Sequence, residues 1–407
     1  SASVPLVPVD PGDGDERDAR APMWGHPTIA SDPATRPLAL GWLGIPWADI
    51  VVAVLGLRLF LTLSAIMTYA LVPGHHQSSG VLGALLGSWR QFDALRFTAI
   101  AAHGYGADGL NSAYMPVYPL LIRIGSILTL GHYLTAALLI SNLGCVLAIG
   151  LLWRWAADCF DEKVAWRTIA VLLIYPDSFY LLGAYSESLF LALNAATLLA
   201  TRRDRPILAG ILALAATLTR LQGLVLCIPI LLSLRRRRDP KRVVTILGAA
   251  ALPGVGLLVY QKALSLWLGG DGILNTFQDK WHIPLLAPWQ TIGKYITVIR
   301  SPAWRFVGSN VANYVQLWDL VSALIVLAVL LLSARRLGLE LTIYGLAAWC
   351  FAMSRYASTG RYMLAVLPAF IGAAIWLDHG RLKWLAWLFV PILFVFTCKF
   401  TQGSWID

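Results

Sequence analysis

Apolar residues come in long runs along this chain, broken by short basic stretches or by clusters of Pro and Gly. A helix rises 1.5 Å per residue, so about 20 apolar residues cross the roughly 30 Å hydrocarbon layer of a bilayer. The pattern predicts an all-α, polytopic membrane protein. The first run spans 47–71, and later ones cover 132–153, 164–175, 178–200, 206–234, 243–268, 313–333, 338–353, 362–377 and 384–402. The 206–234 run is too long for one ordinary helix and is interrupted by Arg220-Leu221-Gln222-Gly223, which predicts two short helices meeting at that point. The expected total is about 11 crossings.

Basic residues set the expected orientation. Arg235-Arg236-Arg237-Arg238 with Lys241 and Arg242 is the strongest cytoplasmic anchor, and Arg202, Arg203, Arg205, Arg335 and Arg336 fall on the same side by the positive-inside rule. Working outward from these anchors, the first helix exits outside and the 132–153 helix also starts outside. The intervening 114–130 stretch is then a juxtamembrane element, in keeping with its polar Tyr118, Arg123 and Ser126 and its early Pro116 and Pro119. Two outer loops are expected, 72–131 and 269–312, and the C-terminus is expected outside. Residues 1–46, rich in Pro, Asp, Gly and Arg, predict a flexible cytoplasmic tail with no cleavable signal peptide ahead of Trp47.

Composition agrees with this class: of 407 residues, 58% are hydrophobic and only 13% charged. The net charge of +10 does not point to nucleic acid, because the basic residues sit in short loops between apolar runs. The five cysteines are dispersed with no Cys-x-x-Cys pair, which predicts neither a metal site nor a disulfide framework.

Candidate chemistry begins just beyond the first apolar run, at Arg90-Gln91-Phe92-Asp93-Ala94-Leu95-Arg96-Phe97. Continuing through His103-Gly104-Tyr105-Gly106, the segment predicts a short interfacial helix. Phe92, Leu95, Ile100 and neighbouring alanines form its apolar stripe, while Asp93 and Arg96 project elsewhere. The plain alternative pairs Asp93 with Arg90 or Arg96 on a wet face. On the expected topology Asp93, Arg96, His103, Tyr105, Glu187, Arg220, Gln222, Gln278, Trp281, His282, Arg355 and Arg361 all lie at or just below the outer face. An ionisable group inside a membrane segment costs at least about 2.5 kcal/mol, so Glu187 and Arg220 are functional candidates, compatible with their forming an ion pair. The outer loop Phe277-Gln278-Asp279-Lys280-Trp281-His282 pairs aromatic faces with an amide, a combination that contacts sugars; interfacial anchoring by Trp281 and Trp289 is the alternative.

Several of these elements occur in an order that resembles the PIG-V-type mannosyltransferases of the GT-C glycosyltransferase superfamily. They are Phe92-Asp93, Ile100-Ala101-x-His103-Gly104-Tyr105, Tyr114-Met115-Pro116-Val117-Tyr118-Pro119 and Pro176-Asp177-Ser178-Phe179. Tyr185-Ser186-Glu187-Ser188-Leu189-Phe190, Arg220-Leu221-Gln222-Gly223 and Arg361-Tyr362 follow. Two positions depart from the family pattern: Phe92 stands where Trp is usual, and Leu221-Gln222 where Asn separates the Arg and Gly. The chain resembles a divergent prokaryotic relative of the enzyme that adds the second mannose to the glycosylphosphatidylinositol core. That resemblance implies a GT-C fold with juxtamembrane helices in the first outer loop, a polyprenyl-phosphate mannose donor, a lipid-linked or glycan acceptor, and Asp93 as catalytic base. It adds Tyr118 and Tyr362 to the substrate-binding candidates.

The chemistry of an inverting transfer gives Asp93 the same part, because a carboxylate must take the proton of the attacking hydroxyl. The leaving phosphate needs cations, and Arg220, Arg355 and Arg361 with His103 and His282 are the outer-side candidates; for Arg355 and Arg361 the alternative is snorkelling to lipid headgroups. No metal or other cofactor is expected, since Asp93 has no adjacent acid and only Asp108, Asp177 or Glu187 could approach it through folding. A soluble nucleotide-sugar donor is not expected either, because no Gly-rich strand–helix element and no Asp-x-Asp occurs in the inner loops. The expected setting is a prokaryotic plasma membrane, with the site on the extracytoplasmic face. The rival from another class is a lipid or glycolipid flippase, which would place charges along a path through the bundle; here they crowd one side.

Overall fold

The computed structural model describes residues 44–71, 86–106, 111–236, 239–268, 272–273, 276–301 and 311–403. The proposed tail, apart from residues 44–46, and most of the connection after the first helix lie outside the described residues. What is described is all-helical, with no strand among these residues. Five helices are long and apolar enough to cross a membrane: Trp47–Ala70, Tyr133–Cys159, Pro240–Leu266, Tyr314–Ala352 and His379–Thr401. Their outward faces are apolar, as a lipid-facing surface requires; Val52, Leu55, Leu59 and Leu63 run down one side of the first helix.

Length and composition thus mark five of the expected eleven crossings among the described residues. The other apolar segments are short helices, among them Val117–Leu128, Pro206–Thr217 and Leu367–Trp376. A 12-residue helix reaches only about 18 Å. The 42-residue helix Val311–Ala352 does contain two segments, because Gly338 (φ 79°, ψ 165°) interrupts it where 313–333 and 338–353 were expected to part. The 206–234 run breaks as expected, with Pro206–Thr217 followed by the 3-10 turn Leu221–Leu226 and the helix Cys227–Leu232. The 178–200 run divides instead into a 3-10 turn, Ser178–Leu181, and the helix Glu187–Arg202. Within 269–312, expected as a loop, lies the helix Pro288–Arg300.

The Tyr133–Cys159 helix is the hub, packing against Trp47–Leu71, Asp93–His103, Val117–Leu128, Glu162–Ile174 and Glu187–Arg202. Close approach is bought with small residues. A Cβ on Gly144 would lie 3.1 Å from both the Leu189 nitrogen and Ser188 Oγ, so this position lets the start of the Glu187 helix press onto the hub. The C-terminal helix closes the other side, its Phe400 packing against Trp89, Phe92, Phe179, Tyr180 and Tyr185.

Asp93–His103 buries Ala94, Phe97, Thr98, Ile100 and Ala101, whereas Leu95 is exposed. The expected stripe is corrected accordingly: the buried face runs 94, 97, 98, 101, at i, i+3, i+4 and i+7, and Leu95 falls just off it.

Candidate active site

Asp93 is the first residue of its helix, where aligned backbone N–H groups favour a carboxylate. The turn into it is unusual, because Phe92 has φ 47° and ψ −114°, a sparsely populated region for a residue with a Cβ. The turn is held from outside: Tyr185 donates its hydroxyl to the Gln91 carbonyl at 2.9 Å, and the Phe92 ring packs on Phe400.

Both carboxylate oxygens of Asp93 are engaged. Tyr114 donates its hydroxyl to Oδ1 at 2.8 Å, and Arg361 donates Nη1 to Oδ2 at 2.8 Å. Arg361 Nε in turn donates to Glu187 Oε1, and Arg220 Nη1 donates to the same oxygen. One chain of alternating charge thus runs Asp93, Arg361, Glu187, Arg220, with two acids matching two guanidiniums. Aromatic faces line it, Tyr180 and Tyr185 each 4.7 Å from the Arg361 guanidinium and Tyr362 5.1 Å from that of Arg220. Arg220 also reaches Ser186 Oγ at 3.3 Å and Gln222 Oε1 at 3.4 Å, while Gln222 donates to the Tyr362 carbonyl at 3.3 Å. The Arg220–Gly223 turn folds tightly back: a Cβ on Gly223 would lie 2.3 Å from the Thr217 nitrogen.

Exposure distinguishes the members. Side chains of Arg361 and Glu187 are 3% and 4% exposed, but Asp93 is 26% exposed. Asp93 is the carboxylate of this network that a ligand can reach, and each of its oxygens keeps a second lone pair. Burial, and then the Asp93 charge, push the Tyr114 phenol well above its ordinary pKa, so it stays protonated as a donor. Tyr105 and Tyr260 both donate to the Tyr114 carbonyl at 2.9 Å and fix its backbone.

From Tyr114 an aromatic wall leads to the last arginine. Trp281 meets Tyr114 edge-on at 5.4 Å, Phe277 meets Trp281 at 5.0 Å, and the Arg355 guanidinium lies over Phe277 at 3.5 Å. Leu286 N–H donates to the Ser354 carbonyl and Thr291 Oγ1 to the Met353 carbonyl, which ties the loop to the segment carrying Arg355. Arg355 is 6% exposed, its buried Nε has no acceptor, and no carboxylate pairs with it among the described residues. Burial lowers its pKa, as it does for a cation without a counter-charge.

Of the sequence candidates, the fold brings together Asp93, Glu187, Arg220, Arg361 and Tyr362, and sets Trp281 and Arg355 alongside. The partner of Asp93 is Arg361, not Arg90 or Arg96, both of which are exposed. Arg361 is likewise not a snorkelling residue, being buried between two acids. Arg96, His103, Gln278 and His282 are exposed and make no hydrogen bond to the cluster among the described residues. Tyr118 is fully buried and acts as a strut, its hydroxyl 2.7 Å from Ser141 Oγ and 3.2 Å from the Ala137 carbonyl. Sequence reasoning passed over Tyr114, Tyr180 and Tyr185 as site residues, although Tyr114 and Tyr185 each head a recognised block. Among the described residues no group of three or more His, Cys, Asp or Glu side chains could hold a metal ion.

No family model and no curated protein matches the chain. Among solved structures, it is similar to ArnT from Cupriavidus metallidurans bound to undecaprenyl phosphate, at 17% identity and TM-score 0.49 over 84% of this chain and 63% of that one. It is also similar to the archaeal oligosaccharyltransferase AglB from Archaeoglobus fulgidus, in complex with an inhibitory peptide and a dolichol-phosphate. There the identity is 11% and the TM-score 0.44, over 88% of this chain and 56% of that one. The chain thus spans less than two thirds of the length of either structure.

Proposed function

We propose that residues 47–407 form a GT-C-type glycosyltransferase that moves a mannosyl residue from a polyprenyl-phosphate donor to a lipid-linked or glycan acceptor, at the extracytoplasmic face of the membrane. The observation that carries this reading is the setting of Asp93, a partly exposed carboxylate on a buried network of matched charges, beside an aromatic wall ending in an unmatched arginine. The motif order of residues 90–362 supports the same class.

In the reaction so read, the acceptor hydroxyl attacks the anomeric carbon and gives its proton to Asp93. The bond from that carbon to the phosphate oxygen breaks, and the electron pair leaves on the polyprenyl phosphate. Tyr114 and Arg361 hold the carboxylate in place for the proton transfer. Arg220 and Arg361 are already neutralised by Glu187 and Asp93, which makes Arg355 the cation for the donor phosphate. Its Nε and terminal N–H groups can donate to an oxyanion side by side. Trp281 and Phe277 offer faces for a sugar ring.

The test is transfer by the purified protein in liposomes containing labelled polyprenyl-phosphate mannose and a membrane lipid extract as acceptor. Label appearing in a new glycolipid, abolished in Asp93→Asn, is the expected result. Movement of the donor across the bilayer without transfer would assign the protein to the flippase class. Efficient transfer from GDP-mannose in liposomes lacking polyprenyl phosphate and its synthase would overturn the donor.

A further inference from the structure

Arg361 is anchored by a second buried cluster on the far side of its own backbone. It sits in the five-residue helix Thr359–Met363, entered through Ser358 in the left-handed region at φ 52°. The peptide just before Arg361 is gripped on both edges. Gly360 N–H donates to Asp319 Oδ1 at 2.6 Å, and the Gly360 carbonyl accepts from the Tyr175 hydroxyl at 3.0 Å. Tyr295 completes the grip, its hydroxyl donating to Asp319 Oδ2 at 3.0 Å and lying 2.8 Å from Thr359 Oγ1. Gly360 itself has no room for a side chain: a Cβ would sit 2.9 Å from Trp318 Nε1 and 3.0 Å from Asp177 Oδ2, which hydrogen-bond each other at 2.7 Å.

Asp319 is only 4% exposed, and burying a carboxylate costs several kcal/mol unless the geometry repays it. That carboxylate accepts from the backbone N–H one residue before Arg361 and from the tyrosine that also holds Thr359. We infer that Asp319 is a positioning residue for the transfer reaction: through Gly360 it fixes where the Arg361 guanidinium meets Asp93 and Glu187. The inference rests on the proposed role of Asp93. Arginine is long and flexible, so the bond to Asp93 keeps its geometry only if the Arg361 backbone is held. A shift of about 1 Å at a reacting centre can cost about 100-fold in rate.

The test compares Asp319→Ala with Asp319→Asn, which keeps an acceptor for the Gly360 N–H. Activity is expressed per molecule able to bind the polyprenyl-phosphate donor, so that misfolded protein is not counted. Asp319→Ala should lower kcat by about 10- to 100-fold with KM for the donor nearly unchanged, and Asp319→Asn should recover most of the loss. In an Arg361→Lys background, removing Asp319 should cost little more, since the group it positions has already been altered. If Asp319→Ala yields no folded protein, Tyr295→Phe, which leaves the Gly360 bond intact, should show the same kcat-only loss at a smaller size. Wild-type kcat per competent molecule in these variants, or equal losses in both Arg361 backgrounds, would overturn the inference. Asp93→Asn is measured in parallel: if it turns over like wild type, the proposed base has failed, separately from Asp319.

Discussion

Arg355 and Arg361 lie six residues apart, both buried, yet the protein treats their charges in opposite ways. Arg361 is bonded to two carboxylates and lies against the rings of two tyrosines, so its charge is met within the fold. Arg355 is stacked on one phenylalanine ring, with an unmet Nε and no carboxylate among the described residues. Removing a guanidinium from water is costly in both places, but only at Arg361 does the protein supply the compensation. The matched arginine belongs to the fixed frame that orients the base, and the unmatched one is suited to an anion that arrives with the substrate.

The sharpest way to break this division is at the base. Asp93→Asn keeps the shape of the side chain and one acceptor oxygen, so it can still accept from either Tyr114 or Arg361, but its amide cannot take a proton. Transfer should fall by about 10²–10⁴ with donor binding retained, measured by turnover and by lipid-donor binding on the same preparation. Turnover near wild type would remove Asp93 from the chemistry and leave the network purely structural.

Glu187 tests the frame. Glu187→Gln withdraws the charge that Arg220 and Arg361 share, and breaking a buried ionic cluster costs about 3–5 kcal/mol. Lower thermal stability and yield should accompany any loss of activity. A stable but inactive Glu187→Gln protein would move Glu187 from the frame to the reacting centre.

How much of this was legible in the sequence depends on the distance over which each feature is determined. The break at Arg220–Gly223 and the one at Gly338 were readable, because local chemistry dictates them: a polar Gly-containing interruption in one case and a basic pair followed by Gly in the other. Asp93, Glu187, Arg220 and Arg361 stood out as ionisable groups at the ends of apolar runs. The partner of Asp93 did not, since Arg361 is 268 residues away and nearer arginines competed on spacing alone. Tyr114 was hidden for a similar reason, as its role comes from the fold bringing it to Asp93. The division of the 178–200 run was not readable, because an apolar run does not reveal where a helix gives way to a 3-10 turn, as at Ser178–Leu181.

The other arm of the comparison is tested at Arg355. A charge-assisted hydrogen bond is worth about 1.5–3 kcal/mol, so Arg355→Gln should raise KM for the polyprenyl-phosphate donor by about 10- to 100-fold. Its melting temperature should hold or rise, because the variant removes a buried charge that no carboxylate balances. A fall in stability as large as that of Glu187→Gln would show that Arg355 is part of the frame after all.

Tyr114→Phe should have a smaller effect, about tenfold or less in kcat, since Arg361 still holds the other oxygen of Asp93. The sign of its pH dependence is fixed by the raised phenol pKa. Tyr114 stays protonated beyond the ordinary tyrosine value of 10.0, so wild type and Tyr114→Phe should share the same alkaline limb up to that pH. In stability terms, the neutral phenol favours the folded state until pH rises through the unfolded tyrosine value, and that contribution is lost only above it.

The smallest effects mark the outer boundary of the site. His103, Gln278 and His282 were read from the sequence as phosphate or sugar contacts, yet all three are exposed and none bonds to the charged network among the described residues. An exposed side chain held by nothing must be ordered on binding, and that entropy offsets most of what a single hydrogen bond returns. Alanine at each position should therefore change kcat/KM by about twofold or less. A loss of tenfold or more at His282 would place the phosphate or sugar beyond Trp281, on the solvent side of the aromatic wall. Arg355 would then be the inner edge of the site and not its centre.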